Sequence, residues 1–417
     1  MNWSSQAYRD AARHGDYGRV VNLARRDAGV SQRQLGDACG ISQSAVSRLE
    51  GRGAASYDMT ILARAATHLH IPPRLVGLAD HTAAHAAENG TDVHRRNFLA
   101  GTAAIAAAPA LSALHSEPAD SGQAATLRVA TTAFRRLDGT TPSRQLSEPV
   151  LAHLRLTQSI TGDADTPEQR ARLAAVGSEV ASLAGWLAWD MHDIGSARTW
   201  YGASIKAAHT SGNRLLTAYQ FGSLAGFEAD AGNAAQGLSL VRRAHRQLGE
   251  AAPAIATAWL ATVEALSHAA AGDRPAAEGA LDRAARSTDA IQAEQPPPWP
   301  WVFGFTHTKV AATRLTCGAR LGLPSWVTAS QDAAASALTS SHEKQRALLM
   351  LDLASAQAAA GRLDGAFALA GRALETGARF RSGRIIERAR ALRRSYTSTT
   401  PPRVVRDFDD RLHGIYL

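Results

Sequence analysis

The chain has 417 residues, of which 45% are hydrophobic and 20% charged, with 45 Lys+Arg against 37 Asp+Glu. That apolar content excludes wholesale disorder, and the lack of an apolar run of about eighteen residues excludes a membrane-spanning helix. Two distant cysteines, Cys39 and Cys317, exclude a disulfide scaffold or a multi-cysteine zinc site and fit a reducing cytoplasm.

All but three of the basic residues are arginine, the lysines being Lys206, Lys309 and Lys344. The guanidinium fork suits phosphate oxygens, although a net charge of +8 serves solubility equally well. Strands are not expected anywhere: β-branched runs are scarce and no alternating pattern appears. The chain reads as all-α, with a helix-turn-helix domain over 1–80, a linker over 81–142 and a helical repeat domain over 143–417.

In the first domain a helix from Val20 stops at Gly29, and a second begins after Ser31, a good N-cap. Gly40 supplies a left-handed turn, Ile41 plugs the core and Ser42 caps a third helix, Gln43 to Glu50. Two further helices, about 59–69 and 74–78, bring the expected number to five. Leu23, Leu35, Ile41, Val46, Leu49, Leu62, Ala63, Ala66, Leu69 and Leu75 fit one small core. Gln43, Ser44, Ser47 and Arg48 then face away from it, where a recognition helix presents side chains to base edges. Glutamine matches adenine in bidentate fashion, and arginine matches guanine N7 and O6.

These segments resemble a known family. Gly29-Val30-Ser31-Gln32, Leu35-Gly36, Gly40-Ile41-Ser42 and Val46-Ser47-Arg48-Leu49-Glu50-Gly51 are similar to the Cro/phage-repressor (XRE) helix-turn-helix pattern. The resemblance implies binding to double-stranded DNA, with Gln32 against a phosphate and Gln43, Ser44, Ser47 and Arg48 at or near bases. Ser42 and Arg52 complete the expected DNA-binding set. Such modules pair about a two-fold axis, which spaces the recognition helices about 34 Å apart, so a homodimer is expected.

The linker holds His94-Arg95-Arg96-Asn97-Phe98-Leu99-Ala100-Gly101 and an alanine-rich stretch. This mimics a twin-arginine export signal, but a targeting segment belongs at the N-terminus. It is read instead as an apolar interdomain helix near 94–110, and the protein is expected in the cytoplasm.

Beyond it, small-residue turns punctuate helix pairs: Gly195, Gly232, Gly272, Gly322 and Gly361 recur at intervals of roughly forty residues, near the period of a tetratricopeptide repeat. A tetratricopeptide-like α-solenoid is expected, a plain helical bundle being the alternative. Leu183 to Asp190, Tyr201-Gly202-Ala203 and the basic run from Ser382 to Arg394 resemble regulators of GC-rich bacteria that join this DNA-binding module to such repeats. The two-part plan is also that of Rgg/PlcR/PrgX-type regulators. The resemblance implies a sensor of a short peptide or small metabolite.

In a solenoid the first helix of each pair lines the concave groove. Those helices are expected at about 214–230, 254–271, 303–321 and 344–360. Their candidate effector-binding residues are Tyr219, Gln220, Trp259, Glu264, His307, Arg314 and Arg346. Pro296 to Phe305 interrupts the repeats with four aromatics, either as a ligand mouth or as a core plug. The arginine-rich helix near 382–394 reads as a solvated cap, with a DNA or dimer contact as the alternative. There is no glycine-rich phosphate loop, no His-Glu-x-x-His and no nucleophile elbow. The sequence therefore implies no enzyme, no cofactor and no metal. The rival reading is a scaffold for a protein partner, with DNA binding secondary.

Overall fold

The computed structural model describes residues 3, 5–53, 57–77, 122–292, 296–333, 335–339 and 342–415. The expected interdomain helix near 94–110 lies outside them. Every regular element among the described residues is helical. The chain divides into two units, residues 1–121 with 193–199, and residues 122–192 with 200–417.

In the first unit the described residues form α1 (Gln6–Arg13), α2 (Tyr17–Asp27), α3 (Gln32–Cys39), α4 (Gln43–Glu50) and α5 (Met59–Leu69), followed by a 3-10 turn, Pro73–Val76. The helix expected at 74–78 is thus one tight turn, because Pro72 and Pro73 remove two backbone donors and Gly77 ends it at φ 70°. The fifth helix is α1, which the sequence reading did not single out. Each turn has a local cause. Asp16, Ser31, Ser42 and Asp58 accept backbone N–H groups at the starts of α2 to α5. Ser31 and Gln34 form a reciprocal capping box.

One core holds the unit together. Leu35, Val46, Leu62, Ala66, Leu69 and Leu49 are buried as expected, while Leu23, Ile41 and Leu75 are only partly covered. Tyr8, Tyr17, Val20, Val21, Ala24, Cys39, Ala65, Ile71 and Val76 complete it. Burial raises the Cys39 thiol pKa, and nearby Arg64 opposes that.

The second unit is a row of helical hairpins. It starts with a helix at Gln123–Asp138, inside the stretch read as linker. Alanine and threonine obscure its pattern, yet Ala124, Leu127 and Thr131 are buried against Ser143–Gly162 and Pro167–Asp190. Further hairpins follow: Arg214–Asp230 with Ala234–Leu248, Ala254–Ala270 with Arg274–Asp289, His307–Arg320 with Pro324–Gln331, Glu343–Ala359 with Leu363–Phe380, and Gly383–Ser395 with Arg403–His413. Gly232, Gly272, Gly322 and Gly361 take positive φ at the tips, as expected. Gly195 does not: it lies inside the helix Ile194–Thr210, and His192 adopts the left-handed conformation instead, at φ 61°.

The first helices of the hairpins pack on one another in order. Pro167–Asp190 touches Arg214–Asp230, and contact passes on through Ala254–Ala270, His307–Arg320 and Glu343–Ala359 to Gly383–Ser395, which returns to Pro167–Asp190. These six helices close a circuit. The aromatic insertion acts as a plug: Trp301 is fully buried and meets Tyr219 and Trp259 edge-on at 5.2 and 5.5 Å.

Candidate nucleic-acid interface

The two helices of the motif approach closely because Gly36 has no side chain. A Cβ there would stand 2.7 Å from the Ile41 carbonyl oxygen. Gly40 takes φ 68° between them, a conformation that glycine adopts at little cost. Gly18 plays a similar part in α2, where a Cβ would lie 2.0 Å from the Leu49 carbonyl oxygen.

With Val46 and Leu49 in the core, α4 turns Gln43, Ser44, Ser47 and Arg48 to solvent, and Ser42 and Arg52 are exposed at its ends. Six of the seven expected DNA-binding residues therefore share one exposed helix and its termini. Ser42 Oγ lies 3.0 Å from Ser44 Oγ. The Arg52 guanidinium stands 6.0 Å from the Tyr57 ring centre. The seventh, Gln32, is half-buried at the start of α3. Its Nε2 donates to Glu50 at 2.8 Å, and its Oε1 accepts from Gln43 Nε2 at 2.7 Å.

Glu50 is the hub that the sequence reading missed. It sits at the end of α4 with its side chain 4% exposed. Arg25 Nε donates to Oε1 at 2.5 Å, Arg25 Nη2 to Oε2 at 3.0 Å, and Asn22 Nδ2 to Oε2 at 2.7 Å. Arg25 also bonds the Val30 carbonyl at 2.8 Å, which fixes the turn into α3. Burial alone would raise the Glu50 pKa, but hydrogen bonds from Arg25, Gln32 and Asn22 more than reverse it, so the pKa is lowered. The partners lie 18 to 28 residues away, beyond any local sequence signal.

The seven effector candidates do not gather in one place. Tyr219 stacks on Trp259 with ring centres 5.1 Å apart, and both remain partly accessible. Gln220 is fully buried and donates to Ser178 Oγ at 3.0 Å. Glu264 pairs with Arg283 at 2.9 Å and with His245 at 3.5 Å. Burial raises its pKa, but His245 and Arg283 win and hold it at about 2. His307 meets Asp289 at 2.8 Å. Arg314 pairs with Glu278 at 3.1 Å and lies over the Trp326 ring. Arg346 is 3.4 Å from Glu343.

The arginine-rich helix Gly383–Ser395 is not a solvated cap. Arg384 and Arg388 turn inward to Asp230, at 3.1 and 3.3 Å, where Arg320 also bonds at 2.6 Å and Trp189 Nε1 at 3.1 Å. Arg388 further pairs with Asp352. Burial would push the Asp230 carboxyl up, yet Arg384, Arg320 and Arg388 hold it well below the usual range. A second knot lies at Lys344, 3% exposed, whose Nζ reaches Asp138 at 2.5 Å, Ser143 at 2.9 Å and Asp190 at 3.4 Å.

Residues 16–79, from the N-cap of α2 past the 3-10 turn, match the family model of a helix-turn-helix domain. No curated protein sequence matches the chain. Among solved structures the chain is similar to PlcR of Bacillus thuringiensis, crystallised with a peptide and DNA. The identity is 14% and the TM-score 0.33, over 83% of this chain and 98% of that one. Among the described residues no helix is long and apolar enough to cross a membrane.

Proposed function

We propose that this protein is a sequence-specific transcriptional regulator that acts in the cytoplasm as a homodimer on double-stranded DNA, by binding and without catalysis. The observation that carries the reading is the exposed row of Gln43, Ser44, Ser47 and Arg48 on α4, a helix whose opposite face is buried in the core of a helix-turn-helix domain. Side chains of these types, on a helix narrow enough for the major groove, suit base edges, and Gln32 and Arg52 beside them suit phosphates.

In this reading the second, tetratricopeptide-like unit senses an effector, a short peptide or a small metabolite. The stacked pair Tyr219 and Trp259 offers it an apolar surface. An effector shifts DNA binding only if it prefers one arrangement of the protein over another. The test is genome-wide mapping of bound DNA followed by a footprint with purified protein. Discrete sites with a shared sequence are expected, and uniform, sequence-independent occupancy would refute the proposal.

A further inference from the structure

The hydrogen bonds around Glu50 carry information about direction. A carboxylate accepts hydrogen bonds and donates none. Gln32 must therefore turn its NH2 toward Glu50, which leaves its oxygen to face Gln43. Gln43 must in turn offer its own NH2 to that oxygen. What remains at the outer end of Gln43 is its Oε1 and its second N–H.

Asn22 shows the strength of this constraint. Its Nδ2 donates to Glu50 at 2.7 Å, and its Oδ1 is left buried with no partner among the described residues. The carboxylate dictates the amide's orientation even where that orphans an oxygen, which is otherwise costly.

We propose that Glu50 is a specificity-determining positioning residue: acting through Gln32, it fixes the Gln43 amide so that this side chain reads adenine. The inference rests on the reading of α4 as the DNA-reading helix. Adenine shows N7 as an acceptor and N6–H as a donor in the major groove, which complements an outward oxygen beside an N–H. Guanine shows two acceptors, N7 and O6, and would suit a reversed amide with its NH2 outward. Glu50 is itself almost fully buried, so it sets the base preference from behind the interface.

The experiment uses the full-length chain and a pool of random-sequence DNA duplexes from which bound sites are selected. Gln43→Ala identifies the base pair that Gln43 reads. Glu50→Gln places a donor where only acceptors stood and frees the relay to reverse. The preference for adenine over guanine at that base pair is expected to fall roughly tenfold, the worth of one good bidentate contact, with the other positions and the salt dependence unchanged.

Combining Glu50→Gln with Gln32→Glu restores a carboxylate facing Gln43. The adenine preference should return, even though the added charge near phosphates lowers overall affinity. Gln32→Leu leaves Glu50 with Arg25 and Asn22 and cuts only the relay, so it decides the matter if Glu50→Gln fails to fold. An unchanged adenine preference in folded Glu50→Gln or in Gln32→Leu would overturn the proposal. So would a loss spread evenly over all positions, which is what a merely structural role predicts. If the unaltered protein selects no sequence at all, it is the DNA-reading function that fails, and this inference falls with it.

Discussion

Arg48 and Gln43 face solvent from a helix that is otherwise anchored in the core, so truncating them removes contacts without opening a cavity. Arg48→Ala is expected to weaken specific binding by about 1–3 kcal/mol and to relax preference at one base pair. Titrations of duplexes differing at single positions measure this. Glu264 makes a prediction of another kind. Its folded pKa of about 2 lies below its ordinary 4.5. Its contribution to stability is therefore complete above pH 4.5 and is lost as the pH falls through 2. Thermal melts between these limits should depend less on pH in Glu264→Gln than in the unaltered protein, and parallel curves would refute the assignment. Residues such as Gly40, Ser31 and Ser42 were legible in the sequence because their roles are settled within a few neighbours. Glu50 was not, since Asn22, Arg25 and Gln32 meet it only once three helices have packed.

Among elements, α2 and α4 show how little slack the small domain has. Gly18→Ala would drive a methyl group into the Leu49 carbonyl, and the expected loss is about 1–3 kcal/mol or more, read as a lower midpoint in urea for the first unit. Helices marked by clear caps and glycine tips were readable in advance, including four of the hairpins in the second unit. The helix Gln123–Asp138 was not, because alanine and threonine carry little periodic signal and its burial depends on two later helices. The basic helix Gly383–Ser395 was read outward because arginines usually face water. Its partner Asp230 lies 154 residues before Arg384, so the sequence offered no cue. Removing that carboxylate isolates buried cations. Asp230→Asn is expected to destabilise the second unit by about 3–5 kcal/mol, which calorimetry would show as a lowered melting temperature.

At the level of the whole molecule, the proposal assigns reading to one unit and sensing to the other. Deleting residues 120–417 leaves a domain that has its own core. It is expected to lose affinity, self-association and any response to cell extract, measured by sedimentation and by DNA binding. An isolated domain that matches the full chain in all three would refute a sensing role for the rest.

A last consequence follows from the closed circuit of first helices. In an open array each repeat meets only its neighbours, so stability accumulates piecewise and repeats can be added or removed. Here Lys344 is tied to Asp138 across 206 positions, and Ser382 to Asp190 across 192. The first and last hairpins thus complete one another, and the unit should melt in one cooperative step with no partly frayed stage. It can be neither shortened nor lengthened by a repeat without stranding buried charges. Evolution is thereby left free to vary side chains in this unit, but not the number of its repeats.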